Sequence, residues 1–422
     1  MPSILMKTIF KNFLFLFLLI HGFCGMAKTI TVSEKSSIKT IKKAIELAQK
    51  NDIIIVESGT YKEVDILIDK PLTIKANKAI IDGDNKGEIF VVKADDVTIE
   101  GFKIINVGTS YIKDYAAIRI RESQNFTIKN NIITDLFFGI YLEKSKNGRI
   151  LNNKIYGKAK NEFNSGNGIQ LWYSNNIEIK NNYVEKVRDG IYLEFSNYCT
   201  IDNNISKNNV RYGLHFMFSN HDTVTNCSYI KNGAGVAIMF SKFMTMTNNT
   251  FSHNWGAAAY GVLLKEVNDT QINCNIFENN TTAINIEGSN RVEYLHNDFI
   301  SNGWAINSRG ANYQNIINNN NFLNNSFDLL YQGQLNQNNF DGNYWSNYSG
   351  YDLDKDGIGD VPHRPIKLFS YVVNKTPESI IFLRSLFVDI IDFSEKVSPV
   401  FTPDNLVDSK PFIKQINHDN YK

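Results

Sequence analysis

From Ser123 onward the chain repeats a unit of about 22 residues, and that period constrains its fold more than any other feature. Units begin at Ser123, Ser145, Ser174, Ser196, Ser219, Ser241, Val267, Ser289 and Ala311. Those from Ser145 and Ser241 are longer and should carry loops. Each follows one template: S-N-x-x-x-I-x-N-N-x-[IF], a variable turn, then G-[IVL]-x-[LIF]-x. The unit from Ser174 reads SNNIEIKNNYVEKVRDGIYLEF. Its apolar residues alternate with polar ones, which is the period of a strand. Asn and Gly between the strands tolerate the left-handed backbone that corners require. Three short strands per turn at this period predict an all-β fold, a right-handed parallel β-helix. Asn153, Asn182, Asn204, Asn249, Asn275 and Asn297 recur at one position and should stack as a hydrogen-bonded ladder. Leucine-rich repeats share the length but lack the Asn-Asn turn.

The ends of the chain suit a solenoid. Residues 1–27 combine Lys7 and Lys11, the apolar run Phe13–Ile20 and Gly25-Met26-Ala27, the pattern of a cleavable export signal. A lipoprotein reading through Cys24 is weak, because Phe23 precedes it. The apolar run is too short to span a bilayer, and no later segment is long enough. A β-helix is expected over 28–366, with an N-terminal cap over 28–60. Within that cap, Ile38–Gln49 reads as an amphipathic helix covering the open edge of the first coil. Residues 367–422 read as a helical C-terminal segment. Net charge is +1, which argues against a nucleic-acid partner held by phosphate charge. Cys199, Cys227 and Cys274 are odd in number and lack CxxC spacing, so they define neither a disulfide framework nor a zinc site.

Four methionines remain after the signal: Met217, Met239, Met244 and Met246, with His215, His221 and His253 in or beside the same stretch. Thioethers and imidazoles together suit copper(I). Repeat register decides which of them face outward. Residues after the template Gly alternate in and out. One outward column therefore runs Glu143, Trp172, Glu194, Met217, Met239, Lys265, Glu287, and its neighbour runs Tyr141, Gln170, Tyr192, His215, Ala237, Leu263, Asn285. Met217 and Met239 should lie about 4.8 Å apart on adjacent coils, with His215 about 7 Å from Met217 on one strand. Met244 and Met246 fall at inward positions. His221 should point outward near a corner, and register does not place His253. His215, Met217, Met239 and His221 are the candidate copper ligands; an apolar docking patch without metal is the competing reading.

A second candidate lies near the C-terminus. Asp352, Asp354, Asp356 and Asp360 match the spacing D-x-D-x-D-G-x-x-D around Gly357. Carboxylates at those steps wrap a hard cation such as calcium. His363 stands where a calcium loop of the helix-loop-helix type would have Glu, so that motif is incomplete. A polysaccharide enzyme would need paired carboxylates. Glu143 and Glu194 lie about 10 Å apart by register, with Trp172 between them. Trp172 and Tyr173 could instead stack on sugar.

Three stretches carry a resemblance: RYGLHFMFSNHDTVTN through GAGVAIMFSKFMTM and AAYGVLLKEVN; NYWSNYSGYDLDKDGIGDVPHRPI; and the tail from LFSYVVNKTPESIIFLRSLFVDIIDFSEKVSPVFTPDNLVDSKPF. They resemble the NosD family of nitrous-oxide-reductase maturation proteins, over essentially the whole chain after residue 27. Lys355 departs from the smaller or acidic residue that relatives often carry. The resemblance implies a non-catalytic periplasmic protein, peripheral to the membrane through a permease. It implies partners as well: an ABC transporter permease and ATPase, a copper chaperone lipoprotein, and nitrous oxide reductase. Transient copper(I) handling is expected; a carbohydrate-binding or polysaccharide-modifying β-helix is the alternative. In the tail, Pro377 suits a first helical turn. Ile380, Ile381, Leu383, Leu386, Phe387, Ile390, Ile391 and Phe393 form an apolar face that would cover the last coil or dock onto the permease.

Overall fold

The computed structural model describes residues 27–110, 112–332, 335–397 and 406–419. The expected export signal lies outside them, apart from Ala27. Three long parallel sheets of 13, 12 and 13 strands run the length of the molecule, so the chain is a parallel β-helix. We name them A, C and B after the order in which one coil visits them from its template Ser: A with Thr200–Asp202, B with Ile205–Lys207, then C with Tyr212–Met217. Neighbouring coils are in register at every strand, as in Ile201 opposite Val224 and Phe216 opposite Ile238. The expected loops occur where the longer units put them, at residues 157–168 and 253–259.

Alternation explains the core. Ile150, Ile179, Ile201, Val224, Met246 and Ile272 form one inward file on sheet A and are fully buried. Met244 is buried too, so both inward methionines fill the core as register predicts. On sheet B the inward file becomes aromatic: Tyr229, Phe251, Phe277, Phe299, Phe322 and Trp345 stack at centroid spacings of 4.1–5.5 Å.

The asparagine ladder forms as expected. Each amide Nδ2 donates to the next coil's Oδ1, as Asn153 does to Asn182 and Asn182 to Asn204, both at 3.0 Å. Cys227 takes one rung: its Sγ receives the Asn204 backbone N–H at 3.3 Å, and its own N–H donates to Asn249. A second ladder at the B-to-C corner, from Asn209 through Asn232, Asn254, Asn280 and Asn302 to Asn325, was not anticipated. These rings of side-chain amides satisfy backbone groups that bulk water cannot reach.

At the N-terminus helix α1 is shorter than periodicity suggested, Ile41–Leu47. Thr40 caps it, and the Glu63 carboxylate accepts the N–H groups of Ile41 and Lys42. Ile41, Ala44 and Ile45 are buried against the first coil.

The C-terminal segment departs from expectation. Helix α2 (Leu368–Lys375) and helix α3 (Leu386–Val397) are joined by a 3-10 turn, Pro377–Phe382, where the sequence suggested an α-helix. The last coil is covered by Phe369, Val373 and Val388, packed on Phe327. Most of the anticipated face does not cover it: Ile380, Ile381, Leu386, Phe387, Ile390 and Phe393 are exposed. Residues 406–419 then return to the β-helix, with Leu406 and Asp408 fully buried.

Candidate functional site

Sheet C carries the candidate copper ligands. Tyr212–Met217 pairs with Ala234–Met239, and Met217 sits directly opposite Met239. Glu194 and Lys265 continue the same column on either side. Both methionines are half-buried at the outer surface. They end their strands, so the corner that follows leaves them uncovered by a neighbouring sheet.

His215 corrects one expectation. It belongs to the outward face, but it is not exposed: only 4% of it is accessible. Its ring lies flat on Tyr192 at 4.4 Å and meets the edge of Tyr212 at 4.9 Å. Its Nδ1 lies 3.5 Å from the Asp189 carboxylate. Neither ring nitrogen makes a hydrogen bond, and Nε2 has no polar partner among the described residues. Asp189 is buried and held by Arg211, whose Nε donates to it at 2.8 Å and whose second nitrogen makes a parallel bond. Burial pushes the Asp189 carboxyl up, but Arg211 and His215 outweigh it and hold it below the usual range. The carboxylate is therefore charged at neutral pH.

His221 is exposed at the corner between sheets C and A, as register suggested. The structure does not pair it with the methionines. It is sandwiched between Tyr198 and Phe243 at 4.9 and 4.7 Å. His253 is exposed in the loop after the sheet-B strand Thr250–Ser252, at the other end of the sheet-C strands from the methionine pair. Cys199, Cys227 and Cys274 are free thiols, all buried. Burial pushes the Cys199 and Cys227 thiols up, which keeps them protonated and poor metal ligands.

The acidic loop brings three of its four carboxylates together. Asp352, Asp354 and Asp356 each place an oxygen within 4.8 Å of the others. Gly357 has φ +88°, which permits the tight turn at that step. Asp360 is not in this group; its carboxylate accepts the Leu353 N–H at 2.7 Å and closes the loop. Asp352 Oδ1 is buried without a hydrogen-bond partner. The donor set fits a hard, oxygen-loving cation.

The carboxylates that an acid–base mechanism would need are occupied or apart. Glu143 is engaged by both Arg119 and Arg121. Trp172 separates it from Glu194, one coil to each side.

Fold and site together define a parallel β-helix protein whose outward sheet carries a thioether pair beside a buried, carboxylate-backed imidazole. More particularly, its sequence is similar to proteins of the NosD family. A family model described as "Periplasmic copper-binding protein (NosD)" matches residues 151–350, and one described as "Right handed beta helix region" matches residues 26–166. A "Probable ABC transporter binding protein NosD" from Pseudomonas aeruginosa is 27% identical over 370 residues, covering 82% of this chain and 85% of that protein. Its counterpart from Stutzerimonas stutzeri is 24% identical, covering 82% and 84%. Among solved structures, a family 28 exopolygalacturonase of Yersinia enterocolitica superposes with TM-score 0.61 at 13% identity, covering 75% of this chain and 79% of the enzyme. That likeness concerns the fold alone. No helix among the described residues is long and apolar enough to cross a membrane.

Proposed function

We propose that this chain is a periplasmic accessory protein for maturation of nitrous oxide reductase, handling copper(I) with an ABC transporter. The observation that carries the reading is the pairing of Met217 with Met239 across adjacent coils, beside His215. Thioethers are soft ligands that hold copper(I) and release it without a proton change. His215 adds a borderline nitrogen donor. A metal-ligating imidazole characteristically turns its other nitrogen to a carboxylate, and Asp189 stands where that partner belongs. The names of the P. aeruginosa and S. stutzeri relatives support the transporter association. The matching family's description supports copper and the periplasm. The permease and ATPase, a copper chaperone lipoprotein and the reductase are the proposed partners, and the role is assembly without catalysis.

Copper(I) titration against a competing chelator tests the site. The protein is expected to bind, and a Met217→Leu, Met239→Leu double variant to bind at least a hundredfold more weakly. Equal affinity in the two would remove the methionine pair from the proposal. His221 is left out of this ligand set because its ring is stacked away with Tyr198 and Phe243. The Asp352, Asp354 and Asp356 loop is proposed as a structural calcium site.

A further inference from the structure

The corner that follows sheet C carries a feature with no role assigned above. Most coils there have two residues with left-handed backbone, three positions apart. In three coils both are polar or charged: Glu122 and Asn125, Lys144 and Asn147, Glu266 and Asp269, with φ between 49° and 59°. In three successive coils both positions become aromatic. These pairs are Phe195 with Tyr198, Phe218 with His221, and Phe240 with Phe243, with φ between 50° and 59°. A bulky side chain is disfavoured in this region, where Asn and Gly sit easily. Six strained rings in one block at the surface point to a use beyond stability.

The rings form two ladders. Tyr173, Phe195, Phe218 and Phe240 stack at 4.6–5.1 Å. Tyr198, His221 and Phe243 stack at 4.9 and 4.7 Å. The Lys265 ammonium lies over Phe240 at 5.9 Å, and that of Lys242 over Phe243 at 5.5 Å. Between the end rings Tyr173 and Tyr198 and the lysines at the other end, the ring faces are used on one another. Solvent meets ring edges, with Met217 and Met239 in the adjoining column. A sugar needs an open ring face, so within the ladders a stacked saccharide has no place.

Ring edges are the positive part of an aromatic quadrupole. Lys144, at the far end of the strip over Trp172, adds a third ammonium. Lys144, Lys242 and Lys265 make no ion pair among the described residues, whereas nearby Glu143 and Asp269 do. Glu194 stands within the strip, between Trp172 and Met217, while Glu266 and Glu287 lie at its far end beside Lys265. We propose that this strip docks an acidic protein segment, apolar side chains resting on the ring edges and thioethers, carboxylates on the three lysines. The inference does not rest on copper, and it stands if Met217 and Met239 bind none.

Cys199, Cys227 and Cys274 are buried, so Phe218→Cys in the full chain with Cys24→Ser can be labelled selectively with a benzophenone maleimide. Irradiation in periplasmic extract of the source cells is expected to give one protein adduct. Its cross-linked peptide should be rich in Asp or Glu beside apolar residues. Adding K144E, K242E and K265E should cut the yield at least tenfold, and the corresponding Lys→Arg set should preserve it. A dimer of the chain itself, a basic peptide, no adduct, or a yield indifferent to charge reversal would each overturn the proposal. A second measurement addresses structure: a Phe195→Asn, Phe218→Asn, Phe240→Asn variant should melt no lower than the parent. A fall of several degrees would mean that the ladder serves the fold and not a partner.

Discussion

The Asp408 carboxylate accepts the indole N–H of Trp345 at 2.8 Å, 63 positions back in the chain. It also accepts the N–H groups of Gly342 and Asn343, each at 2.9 Å. Along the asparagine ladder the backbone N–H donates to the Oδ1 of the next coil, except at Asn204, where Cys227 Sγ accepts. Asn343 has no next coil, and Asp408 supplies the missing oxygen. One side chain thus terminates both the ladder and the inner aromatic stack.

Replacing Asp408 by Ala strands two buried donors and the half-buried Gly342 N–H. At about 1–3 kcal/mol for each unsatisfied group, partly relieved by entering water, a loss of about 3–5 kcal/mol is expected. Urea unfolding measures the loss, and amide exchange should show Asn343 and Trp345 newly labile. Unchanged protection at those two amides would remove Asp408 as the terminator.

Asp328, buried in the last coil, makes a pH prediction. Burial raises its carboxyl from 3.8 to about 6, against the lowering effect of the amides of Asn325 and Asn347 and of Lys367. A raised folded value means that the folded state holds its proton more tightly than the unfolded chain. Its contribution to stability is therefore greatest below about pH 4, declines as pH rises to about 6, and is flat above. The full decline is roughly 3 kcal/mol at 1.36 kcal/mol per pH unit. Asp328→Asn is expected to flatten the melting curve's dependence across that window and to stabilise the protein at pH 7. A wild-type profile that rises between pH 4 and 6 by the same amount in both proteins would contradict it.

Asp189 tests His215 as a copper donor. Asp189→Asn weakens the partner of Nδ1 while leaving the methionines in place, and second partners of this kind are typically worth 10–100-fold in metal affinity. About tenfold weaker copper(I) binding is expected, measured by chelator competition on folded protein. Binding unchanged within twofold would leave His215 as a packing residue under Tyr192.

Calcium should raise the melting temperature if the loop binds it. At a hundred times the dissociation constant the gain is about 2.7 kcal/mol. Asp354→Ala should abolish the gain, and Asp360→Asn should weaken it indirectly by opening the Leu353 contact. A melting temperature indifferent to both calcium and chelator would leave an acidic turn.

The exposed helical face predicts a binding defect without a folding defect. Removing residues 377–422 would take Asp408 with it and confound the two. Phe387→Asp, Ile390→Asp and Phe393→Asp change side chains that are already exposed. The triple variant should melt as the parent does, yet fail to retain the permease in a pull-down. Full retention would sink the docking role of this face.

The repeat made much of this legible. Strand register follows from a period-two pattern pinned by Gly and Asn corners, so the facing of Met217, Met239, Met244 and Met246 could be read directly. Burial at the outer face could not. His215 is outward by register, yet Tyr192, Tyr212 and the Asp189–Arg211 pair enclose it, and no local pattern encodes that enclosure. The αL aromatics were also hidden, because register tells a side chain's face and not its backbone region; their recurrence three positions apart was the available signal. Asp408 was invisible for another reason. It meets Trp345 across more than 60 residues, a distance that no periodicity spans.

The helical excursion leaves the core at Ile366 and re-enters it at Leu406, both buried. It is a loop with two fixed ends, not a free tail. Mechanically this changes what a bound partner can do. A pull on α3 cannot peel the segment off from one end, as it would a frayed terminus. The load divides between two anchors seated in the same final coil, and one of them runs through Asp408 into the hydrogen-bonded ladder.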